Sequence, residues 1–351
     1  MHGKQRRKLC GSLHLPEEPA MKEFITLAHG GGGSLQNGLI RNEILKRFSN
    51  PLLDSLPDGA VTPENLVISS DSFVITPRFF KGGDIGKLAV TGTVNDILMA
   101  GGIPRYLTCS LIIEEGLSLE ELRRILDSMQ LCAAQCRVQI VTGDTKVVPR
   151  GAGDGIYINT SGVGFRRPGM VLDRRCFTGA DKILVSGRAG EHGLSIMAER
   201  YGLESGVLAS DCAPLIEAVA TLHDTAGKNL KFMRDATRGG VWGIISEIFE
   251  NTPFDAILDE EALPVSPAAA ATAKLLGLDP GFAACEGCFA AVVSSSCAGA
   301  CVEALQKIPG CENAAIIGEL VPGRGECVLK NSWGALRKLQ PNAGDQLPRI
   351  C

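Results

Sequence analysis

The sequence predicts a two-domain α+β protein. At 351 residues the chain is longer than one hydrophobic core usually supports. Strand and helix patterns fill its first half, stop near the Arg-Arg-Pro-Gly-Met stretch at 166–170, and then begin again. Neither series alternates strand and helix regularly, as a doubly wound parallel sheet would require. The predicted units are a disordered extension over residues 1–21, domains over 22–168 and 169–330, and a mobile tail over 331–351.

In the first domain, runs of β-branched and aliphatic residues indicate strands, and helical spacing between glycines indicates a helix. Ser118 and Glu121 have the spacing of a capping box, so the segment that they begin is the clearest helix in the chain. The predicted elements are strands at 65–75 and 106–115 with a helix between them, a helix at 118–136, and strands at 138–144 and 155–165.

In the second domain the same patterns recur in a different order. The predicted elements are a strand at 181–187, helices near 192–201, 212–226 and 241–250, a helix at 266–276, a strand at 288–294, a helix at 301–308 and a strand at 314–320. From about residue 331 the sequence turns polar and irregular, which is typical of an exposed tail.

Composition excludes several classes of protein. Hydrophobic residues make up 45% and charged residues 21% of the chain, which is typical of a globular protein. A net charge of −4 provides no positive field for a nucleic-acid backbone. No apolar run approaches the ~20 residues that span a bilayer, and the basic start lacks the apolar stretch of a signal peptide. We therefore expect a cytoplasmic protein with neither a nucleic-acid nor a membrane partner, and Met21 is an alternative start.

Thirteen cysteines in a chain without an export signal are expected to be reduced thiols, most of them buried as small apolar side chains. Two features stand apart. Cys351 is the last residue of the chain, where the ordinary interpretation is a frayed terminus. Cys285 and Cys288 form a C-x-x-C motif that is followed by Cys297 and Cys301.

Five aspartates lie in short glycine, serine or threonine contexts in both halves of the chain. They are Asp71, Asp84, Asp96, Asp144 and Asp235. Magnesium prefers one or two carboxylates together with phosphate oxygens and water, and glycines let backbone N–H groups approach phosphates. Their recurrence therefore predicts a shared magnesium–nucleotide site, although any one of them alone is more often a turn or a helix cap.

The common nucleotide-binding loops are absent. The stretch "GGDIGKL" has one residue too few for a P-loop and lacks its Ser or Thr, and "HGGGGSL" does not fit G-x-G-x-x-G. A nucleotide would therefore be bound through carboxylates and magnesium.

Several longer stretches resemble one family. "HGGGG", "DSFVITPRFFKGGDIGKLAVTGTVNDILMAGGIPRYL", "IIEEG", "VTGDTKVV", "RDATRGG", "GLDPGFAACEG", "IIGEL" and the closing "LPRIC" are similar, in order from about residue 22 to the end, to the HypE carbamoyl dehydratases of hydrogenase maturation. That family belongs to the aminoimidazole ribonucleotide synthetase (PurM-like) superfamily. The terminal "PRIC" is the most discriminating stretch, because superfamily relatives that share the ATP site lack it.

The resemblance implies a PurM-like fold in which the N-terminal sheets of two subunits pair into a barrel across a homodimer. It implies ATP as cofactor, bound through Mg²⁺ by the aspartates above, with Asp71, Asp96, Asp144 and Asp235 as metal ligands. It also implies that Cys351 carries a carbamoyl group, loaded by the carbamoyltransferase HypF and dehydrated here to a thiocyanate. The cyanide then passes to iron on the HypC–HypD scaffold for nickel–iron hydrogenase.

Two further site residues follow from the resemblance. Glu286 in "ACEGC" is implied as the base and Lys146 in "GDTK" as a cation beside the reacting group. The family usually has Ala-Asn-Glu-Gly-Lys around the base, whereas Cys285 and Cys288 stand here in place of the amide and the amine. A zinc or iron–sulfur site or a redox couple at the four cysteines is an alternative to inert thiols. Alternatives for the whole protein are another kinase or synthetase of the superfamily, or a maturation adaptor without catalytic activity.

Overall fold

In the computed structural model, residues 24–31, 33–204, 206–339 and 349–351 are described. The predicted extension at 1–21 and most of the approach to the last residues, 340–348, therefore lie outside the described residues. The described chain begins with a 3₁₀ turn at Leu27–Gly30 and one helical segment. That segment comprises α1 (Gly33–Leu39), a π-helical stretch (Ile40–Leu45) and α2 (Lys46–Phe48).

The N-terminal domain contains a five-stranded sheet and a separate two-stranded hairpin. Its strands are β1 (Ala60–Val61), β2 (Leu66–Phe73), β3 (Phe79–Phe80), β4 (Gly83–Asp84), β5 (Gly102–Glu114), β6 (Gln139–Val148) and β7 (Ile156–Arg166). The sheet order is β1-β2-β7-β5-β6, and β3 pairs with β4 alone. All neighbours are antiparallel except β5 and β6, which are parallel.

Two helices cover one face of this sheet. Helix α3 (Ile85–Met99) is apolar around most of its circumference and is buried between the sheet and α4 (Leu119–Cys136). It packs closely on the sheet, since a Cβ on Gly162 would lie 2.6 Å from Ile97 Cδ1. Helix α4 is amphipathic and begins as predicted, with Ser118 Oγ accepting a hydrogen bond from Glu121 N at 3.1 Å.

The opposite face of the sheet has apolar side chains that are exposed to solvent. Nearly every residue of β6 is exposed, and so are Tyr106 and Ile112 on β5 and Phe165 on β7. An edge strand with unpaired backbone groups beside such a face is typical of a surface that another chain covers.

The C-terminal domain contains a seven-stranded sheet with helices on both faces. Its strands are β8 (Lys182–Val185), β9 (Leu230–Asp235), β10 (Phe254–Asp259), β11 (Phe289–Val293), β12 (Ala315–Pro322), β13 (Cys327–Lys330) and β14 (Leu336–Lys338). Its helices are α5 (Glu191–Arg200), α6 (Ile216–Ala226), α7 (Gly240–Phe249), α8 (Pro267–Leu276) and α9 (Ser295–Leu305), with 3₁₀ turns at Arg174–Cys176, Gly227–Asn229 and Pro280–Phe282. The order is β14-β13-β10-β12-β8-β11-β9, antiparallel except for β10 and β13.

Strand β11 shows how this core is built. All five of its residues are buried. Phe289, Ala291 and Val293 point into a core that α6 and α9 share with the N-terminal domain, whereas Ala290 and Val292 face the core under α7. The first of these cores thus joins the two domains.

The predicted α+β class is confirmed, and the predicted strands and helices are present with shifts at their ends, the largest at α9, which begins six residues before the predicted start at 301. The helical segment over 33–48 was not predicted, and neither were strands β1, β3, β4, β9, β10, β13 and β14. The chain expected to be an irregular tail from residue 331 instead forms β14, which pairs with β13. A turn makes this pairing possible, because Asn331 Oδ1 accepts hydrogen bonds from the N–H groups of Trp333 and Ala335. No helix in the described chain is long and apolar enough to cross a membrane.

Candidate active site

A cavity of about 810 Å³ lies where the two domains meet. The N-terminal domain contributes the end of β2, the C-terminal domain contributes the loops before α7 and β11, and the last three residues of the chain complete the wall. The lining residues are Ile25, Thr26, Leu27, His29, Gly30, Gly31, Leu39, Ser70, Asp71, Ser72, Val74, Asn159, Thr237, Arg238, Gly239, Phe282, Ala284, Glu286, Arg349, Ile350 and Cys351.

Three of the predicted aspartates gather at this cavity, Asp71 in its wall and the other two behind it, although they lie far apart in the sequence. Asp71 projects from the helix-facing side of β2, Asp96 from α3, and Asp235 from the end of β9. Asp58, in the loop before β1, joins them and was not predicted. Ser69 Oγ donates a hydrogen bond to Asp96 Oδ2 at 2.6 Å, which holds that carboxyl group in place.

The crowding changes the acidity of these groups. Burial raises the pKa of Asp96 well above its ordinary value, and the charges of Asp235, Asp71 and Asp58 raise it further. Burial, and then the charge of Asp58, raises the pKa of Asp235 to about 8. Desolvation and like charge are the two effects that favour a protonated carboxyl group. The surroundings of the cluster therefore do not stabilise all of its carboxyl groups in the charged form.

Two arginines offset part of that charge. Arg234 forms an ion pair with Asp58 at 3.1 Å, and Arg238 lies 3.8 Å from Asp71. Burial disfavours the charged form of Arg238, but the negative charges at Cys351, Asp71 and the carboxylates behind it outweigh this effect and raise its pKa. Arg238 also lines the cavity, so it is a cation placed between the acidic cluster and the end of the chain.

Glu286 lies in the loop before β11 and is 4% exposed. Burial raises its pKa well above the ordinary value, and the charges of Asp235, Asp211 and Asp71 act in the same direction. Asp211 accepts hydrogen bonds from Glu286 N at 2.9 Å and from Gly287 N at 3.1 Å. The loop that carries Glu286 is thus held by a second, partly buried carboxylate.

Cys351 lies in the same cavity as Glu286. An oxygen of its terminal carboxylate accepts a hydrogen bond from Val74 N at 3.0 Å, and Ile350 beside it is 6% exposed in the core that joins the domains. A terminal thiol and a buried carboxyl group of raised pKa therefore share one pocket. Pro348, predicted to stiffen the approach, lies outside the described residues.

The other predicted nucleotide ligands lie elsewhere. Asp84 is the N-cap of α3, where its Oδ1 accepts hydrogen bonds from Gly86 N at 2.7 Å and Lys87 N at 3.0 Å. Asp144 and Lys146 lie on the exposed edge strand β6 and pair with each other at 2.6 Å. This pairing, and first of all the hydrogen bond from Lys146, lowers the pKa of Asp144. Their assignment to ATP or to the reacting group stays a prediction.

Asp144 nevertheless lies in the same row of the sheet as two residues that line the cavity. Ser72 on β2, Asn159 on β7, Ser110 on β5 and Asp144 on β6 face one another in a single row across the sheet. Ser72 and Asn159 line the cavity. Neighbouring strands lie about 4.8 Å apart, so Asp144 is about 10 Å from Asn159 on the same face.

The four singled-out cysteines do not converge. Cys285 and Cys288 belong to the core under α7, whereas Cys301 is buried, and Cys297 partly buried, in the core that joins the domains. Within the described ranges, no three histidine, cysteine or carboxylate side chains are placed to hold a metal ion together. The geometry therefore offers no support for a four-thiolate metal site.

The acidic cluster of Asp58, Asp71, Asp96 and Asp235, unlike the cysteines, fits a magnesium ion. Its oxygens are the hard ligands that magnesium prefers. The pKa values of Asp96 and Asp235 are raised, and a divalent cation bound there would lower them. Because the described residues form no preassembled cage, the fit is to a cation held by one or two carboxylates and by phosphate oxygens and water. Asp71, which lines the cavity, and Asp96 and Asp235 behind it are the residues that would hold it.

The sequence alone did not reveal Asp58, Asp211 or Arg238. Asp58 and Asp211 lie in ordinary turn contexts, "PDG" and "SDC", without a local signal. Arg238 stands in the stretch "RDATRGG" that was singled out for its aspartate, so its position before two glycines at a helix start was the available signal.

Comparison with known proteins agrees with this geometry. Residues 57–165 match the family model of the AIR synthase related protein, N-terminal domain, and residues 180–330 match that of the C-terminal domain. The carbamoyl dehydratase HypE of Escherichia coli K12 is 42% identical over 337 residues, covering 93% of this chain and 99% of that protein.

Two solved structures are similar along nearly the whole fold. A chain in the crystal structure of a HypE–HypF complex superposes with a TM-score of 0.83 at 36% identity, covering 87% of this chain and 99% of its own. The hydrogenase maturation protein HypE in complex with ATP superposes with a TM-score of 0.78 at 39% identity, covering 93% and 100%. This protein has the two domains of the AIR synthase family, and its own terminal residue, Cys351, lies in the cavity between them. It belongs to the HypE family of carbamoyl dehydratases.

Proposed function

We propose that this protein is an ATP-dependent carbamoyl dehydratase that acts on its own terminal cysteine. The S-carbamoyl group on Cys351 loses its oxygen as part of inorganic phosphate and its two nitrogen-bound protons, which leaves a thiocyanate on the sulfur. The thiocyanate then supplies the cyanide ligand for assembly of the nickel–iron hydrogenase active site.

One observation carries the proposal: Cys351 lies in the same cavity as Glu286, in front of the acidic cluster. Dehydration of an amide needs a base at the nitrogen and an activated oxygen at the same carbon. The cavity contains a candidate for the first, and a donor set that suits a magnesium nucleotide for the second.

ATP, when bound with Mg²⁺, supplies the phosphoryl group that turns the carbamoyl oxygen into a leaving group. Asp71, Asp96 and Asp235 are the carboxylates that would hold the cation. Arg238, which lies between this cluster and Cys351, offsets negative charge at the reacting end of the chain.

Glu286 is the proposed general base. A carboxylate in water is too weak a base for an amide nitrogen, but burial and neighbouring negative charge raise the pKa of Glu286 and so strengthen it as a base. Asp211 keeps the backbone of this residue in place through its two hydrogen bonds. Lys146 is proposed as a cation beside the reacting group, although it is exposed in a single chain.

A homodimer accounts for the positions of Lys146 and Asp144. Both belong to the exposed, partly apolar face of the N-terminal sheet, which a second copy would cover by pairing the two sheets into a barrel. In that arrangement Asp144 and Lys146 lie at the interface, Asp144 in the row of side chains that leads to the cavity and Lys146 two residues further along the same strand.

We further propose that a HypF-type carbamoyltransferase loads Cys351 and that a HypC–HypD scaffold receives the cyanide. Support for the first partner is the likeness of this chain to the HypE subunit of a HypE–HypF complex. A terminal thiol is suited to visit two active sites in turn, because the end of a chain can move without unfolding a domain.

The test is mass spectrometry of the C-terminal peptide after incubation with the carbamoyltransferase, carbamoyl phosphate and ATP. Without magnesium ATP in the second step we expect a carbamoyl adduct on Cys351, and with it the same adduct less one water. Cys351 that stays unmodified under both conditions would contradict the proposal.

A further inference from the structure

The last three residues of the chain are bound like a peptide ligand. A backbone oxygen of each residue from Arg349 to Cys351 accepts a hydrogen bond from a residue of the fold, and for Cys351 that oxygen belongs to the terminal carboxylate. Two of the donors lie on α5, and the third follows β2 directly. They are Arg200 Nη2 for Arg349, His192 Nε2 at 2.8 Å for Ile350, and Val74 N at 3.0 Å for Cys351.

The side chain of Arg349 adds sequence specificity. Its Nη2 forms an ion pair with Asp154 Oδ2 at 2.7 Å, and its Nε donates to the carbonyl oxygen of Val74 at 2.9 Å. The hydrogen bond from Arg349 is the leading cause that lowers the pKa of Asp154. A guanidinium that reaches a carboxylate and a carbonyl at once has a geometry that a lysine cannot copy.

Asp154 is itself held in position. Thr76 Oγ1 donates to its Oδ2 at 3.2 Å, and Arg78 Nη1 donates to its carbonyl oxygen at 3.3 Å. The carboxylate is therefore fixed before the tail arrives, which reduces the entropy lost on binding.

His192 is prepared for its bond in a similar way. A carbonyl oxygen only accepts hydrogen bonds, so Nε2 of His192 is the protonated nitrogen and Nδ1 accepts from Ser210 Oγ at 2.7 Å. Burial lowers the pKa of His192 to about 4, so the ring is neutral near pH 7 and keeps this tautomer. The ring packs edge-on against Phe80 at 5.5 Å between centroids.

We propose that this wall of the cavity is a receptor for a carboxyl-terminal Arg-Ile-Cys peptide, in which Asp154 selects Arg349 and His192 sets the depth of Ile350. Asp154 and His192 are positioning residues, since neither is placed at the reacting atoms. The inference rests on the proposed function only for the role of Cys351 as the reacting group, and peptide binding is testable without ATP or carbamoylation.

The experiment measures how fast iodoacetamide alkylates Cys351 in the full-length protein, followed by mass spectrometry of the C-terminal peptide. Docking half-buries Cys351, so a weakened receptor exposes it more often. We expect Asp154→Ala to raise the rate about threefold to tenfold, as for loss of a partly exposed, charge-assisted contact. Glu260→Gln, which removes a comparable exposed pair with Arg337 at 2.6 Å, should leave the rate unchanged.

A double-mutant cycle separates recognition of Arg349 from general loosening of the fold. If Asp154 acts through Arg349, the variant with both Asp154→Ala and Arg349→Ala alkylates no faster than the faster single variant. Rates that multiply in the double variant would overturn the assignment of Asp154.

A peptide added in trans gives an independent readout. A peptide of residues 346–351 with the Cys351→Ser change, at the millimolar concentration that a tethered tail typically experiences, should compete with the tail and raise alkylation of Cys351 in the unaltered protein. The same peptide with Arg349→Ala should have little effect. Equal effects of the two peptides, or no effect of either, would refute the receptor, and neither result bears on whether the protein dehydrates a carbamoyl group.

Discussion

Asp211 accepts a hydrogen bond from the backbone N–H of Glu286 at 2.9 Å through one carboxylate oxygen, and its other oxygen accepts from Gly287 N at 3.1 Å. A partly buried carboxyl group, which holds the loop, thus lies beside a buried one, which faces the cavity. Their proximity has a consequence for acidity, because the charge of Asp211 helps to raise the pKa of Glu286.

Replacing Asp211 should therefore change the pH dependence of dehydration as well as its rate. Burial raises the pKa of Asp211 to about 6, so this group is charged above that pH. Asp211→Asn removes that charge and so lowers the pKa of Glu286. Glu286 then loses its proton at lower pH, and the rising limb of the pH–rate profile shifts to lower pH. We expect the maximal rate to fall about 10-fold, since one of the two acceptors is lost.

Asn95→Ala is the matched control. Asn95 holds the same region without a charge, through Nδ2 to the Ala213 carbonyl at 3.1 Å and Oδ1 from Leu215 N at 2.9 Å. The rate should fall in this variant with the position of the pH limb unchanged. A profile that stays in place in Asp211→Asn would show that Asp211 acts on structure alone.

Glu286→Gln should arrest the reaction after carbamoylation. The amide keeps the shape of the side chain but cannot accept a proton from the carbamoyl nitrogen, and loss of a general base typically costs about 10²- to 10⁴-fold in rate. The C-terminal peptide should then accumulate the carbamoyl mass while ATP binding, measured by calorimetry, is kept. Thiocyanate formation at the unaltered rate would remove Glu286 from the mechanism.

Asp235→Asn should stabilise the protein while weakening magnesium ATP. The pKa of Asp235 is raised to about 8 in the folded state, so its contribution to stability is present at low pH and is lost as pH rises through that value. The amide has no such loss, and we expect the free energy of unfolding at pH 7 to 8 to increase by about 1–3 kcal/mol without nucleotide.

The gain for Asp235→Asn should shrink near pH 4, where the carboxyl group of Asp235 is protonated in the folded protein. Chemical denaturation at the two pH values measures this, and titration with magnesium ATP measures the loss of binding. A variant that is less stable at pH 7 but binds magnesium ATP normally would contradict the role assigned to the cluster.

Cys351→Ser separates the proposed activity from its rivals. The hydroxyl preserves the size of the side chain, so binding of magnesium ATP should be unchanged, but no carbamoyl or cyano group should be found on the C-terminal peptide. A kinase or synthetase of the superfamily that acts on a free small molecule would keep its turnover in this variant. An adaptor without catalytic activity would tolerate both this change and Glu286→Gln in hydrogenase maturation.

Ile112→Glu tests the proposed dimer. Ile112 is 44% exposed on β5, within the face that a second sheet would cover, and a buried charge there should dissociate the pair. Light scattering should give the mass of one chain for this variant and of two for the unaltered protein. Val207→Glu, at an exposed apolar residue outside that sheet, is the control, and a dimer that persists in Ile112→Glu would place the interface elsewhere.

Much of the fold followed from local chemistry. The Ser118 cap and the amphipathic spacing of α4 predicted a helix that the structure contains almost to the residue. Strands β10 and β13 were not predicted because each is short and is stabilised by a partner strand distant in sequence, β10 by β12 and β13 by β10. The domain limits stay a prediction.

The site was predicted unevenly for the same reason. Asp84 and Asp235 have similar glycine-containing or polar neighbourhoods in sequence, yet one caps a helix and the other joins a buried cluster. Asp58 and Asp211 have no distinguishing sequence context, and only their partial burial beside other charges separates them from ordinary turn aspartates.

By itself the sequence determined the α+β class, the family, the terminal thiol and the supply of acidic side chains, because patterns of a few neighbouring residues encode them. Tertiary structure decided which carboxyl groups meet, how their pKa values shift, and that Arg349 reaches Asp154 across 195 positions of the chain to bring Cys351 into the cavity. Coulombic and desolvation effects depend on distance in space rather than in sequence, and folding alone brings these groups together.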